Sequence, residues 1–143
     1  MRTIFVALAI IAGLGATPAR AADRARATVA CKPAPVKLAY DCTFKLSNAR
    51  TGAPLDQAEV TIGADMPSMP LAHNVRPVTA TATGAPGEYQ ARLTLEMHGD
   101  WALRLKVAGP VKDQIVEVLR FTATSAGPPR RKAAPTRGDQ HKH

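Results

Sequence analysis

Residues 89–107 read Tyr-Gln-Ala-Arg-Leu-Thr-Leu-Glu-Met-His-Gly-Asp-Trp-Ala-Leu-Arg-Leu-Lys-Val. Tyr89, Ala91, Leu93, Leu95 and Met97 alternate with Gln90, Arg92, Thr94, Glu96 and His98. A period of two sends successive side chains to opposite faces, so this is a strand with one face buried. Trp101, Leu103, Leu105 and Val107 repeat the pattern against Ala102, Arg104 and Lys106, and His98-Gly99-Asp100 between them is expected to be a hairpin turn.

The same alternation extends outward. Leu38, Tyr40, Cys42, Phe44 and Leu46 alternate with Ala39, Asp41, Thr43 and Lys45, with Cys42 facing inward. Turn residues from Asn48 to Gly52 precede a further strand, in which Ala58, Val60, Ile62 and Ala64 alternate with Glu59, Thr61, Gly63 and Asp65. After a loop rich in Met and Pro, Val78, Ala80 and Ala82 alternate with threonines in a strand that Pro77 marks as an edge. A short strand is expected near residues 27–31 and a last one over residues 114–122, where apolar residues on both faces leave the register open. No stretch shows helical periodicity with caps. About seven short strands predict an all-β fold, an immunoglobulin-like antiparallel β-sandwich with Trp101 as a packing centre. A five-stranded barrel is the competing architecture.

The chain begins with Arg2, an apolar run over residues 4–16, and the small-residue motif Ala19-Arg20-Ala21, the order of a secretory signal peptide. At about 1.5 Å per residue the run spans only about 20 Å, too short for a hydrocarbon core of roughly 30 Å. Residues 1–21 are therefore expected to be a cleaved signal, which leaves no transmembrane segment in the mature chain. The alanine-rich, arginine-rich style suggests a bacterium of high genomic GC content, which makes the expected compartment the periplasm. There an even cysteine count predicts a disulfide between Cys31 and Cys42. The alternative, a metal-binding dithiol, conflicts with the ten residues that intervene between them.

The net charge is +8, of which residues 125–143 carry +4 through Arg130, Arg131, Lys132, Arg137 and Lys142 against Asp139. Residues 22–124, the expected folded domain, hold twelve basic and ten acidic side chains. A nearly balanced domain argues against nucleic-acid binding, and the tail 125–143, rich in proline and poor in apolar residues, is expected to be disordered.

Candidate ligands cluster where strands end. Met66 and Met69 lie in Met66-Pro-Ser-Met69-Pro-Leu-Ala-His73, and Met97 adjoins His98. In a polyproline-like segment three residues complete one turn, which would set both thioethers on one side with His73 turned back toward them. Thioether sulfur with imidazole nitrogen is a soft set that suits Cu(I) better than zinc or hard cations. The competing reading makes Met66, Met69 and Met97 core filler and His98 a solvated turn residue.

The run Met66-Pro-Ser-Met69-Pro-Leu-Ala-His73, then Gly87-Glu88-Tyr89, then Met97-His98-Gly99-Asp100-Trp101, resembles the YtkA-like domain over roughly residues 36–122. That family is similar in style to FixH-like proteins and periplasmic copper-resistance modules. The resemblance implies an exported or membrane-attached bacterial β-sandwich, sometimes linked to copper handling or oxidase assembly; FixH-like members carry a membrane helix, which this sequence lacks beyond its signal.

Enzymatic chemistry has no support. Ser47, Ser68 and Ser125 are the only serines, none in a Gly-x-Ser-x-Gly turn, and phosphate-binding glycine loops are missing. The expectation is a non-enzymatic, monomeric copper-binding or copper-delivery module using Met66, Met69, His73, Met97 and His98, with a copper-trafficking protein as partner. The alternative is a structural module that binds an envelope protein through the sheet edge near Pro77, with no metal.

Overall fold

The computed structural model describes residues 22–130. The alternating stretches form nine strands: β1 (Ala25–Pro33), β2 (Ala39–Asn48), β3 (Glu59–Asp65), β4 (Asn74–Thr79), β5 (Thr81–Ala82), β6 (Glu88–Thr94), β7 (Gly99–Ala108), β8 (Asp113–Phe121) and β9 (Ala126–Gly127). They build two antiparallel sheets, ordered β1-β2-β6-β5 and β4-β3-β7-β8-β9. Two separate sheets exclude the barrel, and the first, second, fifth and sixth strands facing the third, seventh and eighth is the immunoglobulin-like arrangement.

The inward set of each strand supplies the core. Tyr40, Cys42, Phe44 and Leu46 of β2 with Tyr89 and Leu93 of β6 meet Val60, Ile62 and Ala64 of β3 and Trp101, Leu103, Leu105 and Val107 of β7. Trp101 is fully buried, and its indole Nε1 donates to the Met97 carbonyl at 3.1 Å. Tyr40 and Tyr89 are also buried but keep their hydroxyls bonded, to the carbonyls of Thr122 at 2.7 Å and Leu55 at 2.6 Å. Each bond satisfies a group that would otherwise cost about 1–3 kcal/mol to bury.

Residues 98–100 do not form the expected hairpin turn. β6 pairs with β2 and β5, whereas β7 pairs with β3 and β8, so residues 95–98 carry the chain from one sheet to the other. Two strands with inward faces toward one core show the same alternation whether they share a sheet or oppose one another. A short link between two such strands is therefore compatible with a hairpin or with a crossover between sheets.

The open register of the last strand is set by pairing with β7, Trp101 opposite Leu119 and Leu105 opposite Ile115. Leu119 and Phe121 face the core, and Val116 and Val118 face outward at 47% and 41% exposure. Pro77 lies in an edge strand, β4, but the strand expected through Ala82 is split: β4 ends at Thr79, Ala82 belongs to β5 at the edge of the other sheet, and the β4–β3 pairing is irregular between Ile62 and Ala64. Ordered structure continues past Thr124: Ala126 and Gly127 pair with Phe121 and Arg120, beyond the boundary expected for the domain. The expected signal 1–21 and the rest of the tail, 131–143, lie outside the described residues.

β1 is an outer strand whose inward residues are small, and two fastenings hold it. Cys31 sits directly opposite Cys42 and the two are disulfide-bonded, the expected pairing. At its start the Asp113 carboxylate accepts from the backbone N–H of Ala25 at 2.9 Å and from Arg24 Nε at 3.0 Å.

Candidate functional site

Strand directions gather four segments at one end of the sandwich. β1 ends and β2 begins there around residues 34–38, β3 passes to β4 through residues 66–73, β6 crosses to β7 through 95–98, and β8 turns back to β9 through 122–125. All five candidate metal ligands lie on this rim.

The Met-Pro segment is not polyproline. Met69 N–H donates to the Met66 carbonyl at 3.1 Å and Ala72 N–H to the Met69 carbonyl at 3.2 Å, so two turns run end to end. Pro67 and Pro70 each occupy the second position of a turn, where their fixed φ is favoured. Met66 N–H to the His73 carbonyl at 3.3 Å closes the loop at its base. The second turn requires φ above zero at its third residue, and Leu71 supplies it at φ 68° although a bulky side chain disfavours that region. The strain costs about 1–2 kcal/mol, yet Leu71 is 93% exposed and buries nothing within the described residues.

This geometry divides the expected ligands. Met66 points into the core at 4% exposure, and its methyl fills the space over Gly99, where a Cβ would lie 2.8 Å away. Its sulfur therefore packs in hydrocarbon, because Met66 continues the inward parity of Val60, Ile62 and Ala64 in β3. Met69 is half-buried against the core, and Met97 is 38% exposed. His98 is exposed and borders a cleft of about 290 Å³ with Val36, Leu38, Tyr40 and Ala123, on the β1–β2 side of the rim.

His73 is joined to the crossover by a residue that the sequence reading did not single out. Its Nδ1 lies 2.5 Å from Glu96 Oε2, at the surface, with the His73 side chain 31% exposed. A carboxylate on one ring nitrogen fixes the tautomer and leaves Nε2 as the nitrogen open to a ligand, the arrangement that supports metal-bound histidines. Among the described residues no group of three or more His, Cys, Asp and Glu side chains is placed to hold a metal ion. The sulfur donors of the rim that are not buried are Met69 and Met97, and they stand with the Nε2 of His73.

The acidic groups of this end are otherwise engaged. Arg92 grips Asp41 at 2.7 and 3.1 Å, Arg104 grips Asp65 at 2.9 and 3.0 Å, and Arg120 grips Asp100 at 2.6 and 2.8 Å. The paired guanidinium holds the carboxyls of Asp41 and Asp100 below the usual aspartate range.

Among the described residues no helix is long and apolar enough to cross a membrane. No curated protein and no solved structure matches the chain. The family model described as YtkA-like matches residues 20–106, starting earlier than the motif-based resemblance and ending within β7. More than half of the sequence lies within that match, and the chain belongs to the YtkA-like family.

Proposed function

We propose that this protein is an exported, non-enzymatic module of the bacterial envelope that binds or delivers copper at the rim of its sandwich. Met69, Met97 and the Nε2 of His73 are its ligands, and His98 is a peripheral donor. The observation that carries the reading is the contact of His73 with Glu96. It fastens the methionine loop to the crossover bearing Met97 and orients an imidazole between two thioether-bearing segments. Bound copper(I) would be held by polarizable sulfur in an oxidising compartment, where cysteine is committed to the Cys31–Cys42 bridge. Met66 is reassigned from ligand to the packing that supports the crossover.

Titration with Cu(I) against a competing chelator tests this. The Met69→Ala, Met97→Ala double variant should bind at least about tenfold more weakly than the parent. Equal affinity would remove the rim site.

The alternative, a metal-free module recruiting an envelope protein through the edge near Pro77, finds less support. β4 is interrupted by Pro77 and its pairing with β3 is irregular, features that blunt an edge against strand addition.

A further inference from the structure

Five large apolar side chains are exposed among the described residues, and three of them, Val36, Leu71 and Met97, stand on the rim. They come from three separate loops, at 61%, 93% and 38% exposure, while the opposite end of the sandwich carries none of the five. Two of the loops are constrained by proline: Pro33 and Pro35 precede Val36, and Pro67 and Pro70 shape the turns from which Leu71 is presented outward by a left-handed backbone. Stiff loops lose little freedom when they dock.

The charges of this end are uneven. Asp41, Asp65 and Asp100 are each paired with an arginine, and Glu96 is the acidic group of this end that has no arginine or lysine partner among the described residues. Among the described residues neither Lys37, beside Val36, nor Lys32, opposite Asp41 in the sheet, forms an ion pair, the Asp41 carboxylate being held by Arg92. Apolar tips within a collar of surplus lysine are complementary to a surface that is apolar within and anionic outside.

We propose that the rim docks on an anionic phospholipid bilayer, with Leu71, Val36 and Met97 entering the headgroup boundary and Lys32 and Lys37 meeting lipid phosphates. A fluid surface accepts three separate projections, whereas a protein partner would need a matching groove for each. The sheet face holding Val116 and Val118 stays turned to water. This docking does not depend on copper, since its contacts are made by groups outside the ligand set apart from Met97.

The test is flotation of the purified, metal-free protein with vesicles of phosphatidylglycerol and phosphatidylcholine or of phosphatidylcholine alone. The parent should bind the anionic vesicles. Leu71→Asp should lower partitioning by about tenfold, and Lys32→Glu with Lys37→Glu should abolish the preference for anionic lipid. Leu71 buries nothing, so an unchanged melting temperature verifies that the variants fold. A variant with Arg130, Arg131 and Lys132 replaced by Gln separates the rim from the basic tail, and the Leu71 effect should persist in it. Equal binding by parent and Leu71→Asp, or loss of all binding in the tail variant, would overturn the proposal. So would a Leu71-dependent complex with a soluble envelope protein in the absence of vesicle binding.

Discussion

His73 and Glu96 touch across the rim, Nδ1 to Oε2 at 2.5 Å, and this joins the methionine loop to the sheet crossover. The pair is exposed, so its contribution to folding is small, within about 1 kcal/mol. Under the proposed copper reading its effect on the metal would be larger, because a carboxylate that orients a ligating imidazole typically changes affinity by about 10–100-fold. Glu96→Ala should therefore leave the melting temperature nearly unchanged while weakening Cu(I) binding by at least about tenfold. Chelator competition and a thermal melt on the same preparation check both halves.

Gly99 begins β7 at φ 145°, and a Cβ there would meet the Met66 methyl at 2.8 Å. The methyl ends a flexible side chain and can retreat, but the backbone strain remains. Gly99→Ala should destabilise the fold by about 1–3 kcal/mol. Combining it with Met66→Ala should give less than the sum of the two single losses, since the steric part vanishes with the methyl. Chemical denaturation of the four proteins measures that coupling.

The Cys31–Cys42 bridge ties the outer strand β1 to β2. Closing so short a loop contributes about 2–3 kcal/mol by the chain-entropy account. Cys31→Ser with Cys42→Ser should lower stability by that amount, and amide exchange should quicken in β1 before it does in β7. Uniform acceleration in both strands would assign the bridge to the whole fold instead.

Asp113 is the second fastening of β1. The backbone N–H of Ala25, first, then the N–H of Gln114 and the Arg24 side chain, lower its pKa. A carboxyl depressed in the folded state stabilises above its unfolded pKa of about 3.9, and that contribution is lost as pH falls through the folded value. Asp41 and Asp100 act in the same direction through Arg92 and Arg120. Melting temperature should hold between about pH 5 and 8 and fall below about pH 4. Asp113→Ala should cost about 1–3 kcal/mol at neutral pH and make the acid decline shallower.

Much of this architecture is legible in alternation. Tyr40 through Leu46, Val60 through Ala64 and Trp101 through Val107 bury the residues that a period of two assigns. Alternation is silent on partners, which is why the link between Leu95 and Gly99 read as a hairpin although it changes sheets. It was silent too on β9, whose two residues have no pattern to show. At the rim the candidate residues fall on loops that the fold brings to one end, and the turns themselves had a signal: Pro67 and Pro70 three apart, each following a methionine, match the second position of consecutive turns. The inward turn of Met66 was legible elsewhere, since it continues the alternation of Val60, Ile62 and Ala64. Glu96 carried no signal of its own, because its importance arises only when residues 73 and 96 are brought together by the fold.

The rim as a soft copper site is tested most directly by X-ray absorption at the copper edge, on protein carrying one Cu(I) per chain. Sulfur and nitrogen neighbours are predicted around the metal, with the sulfur contribution reduced in both Met69→Ala and Met97→Ala and unchanged by substitution of the tail histidines. A shell of nitrogen and oxygen alone, or a spectrum indifferent to both methionines, would contradict it.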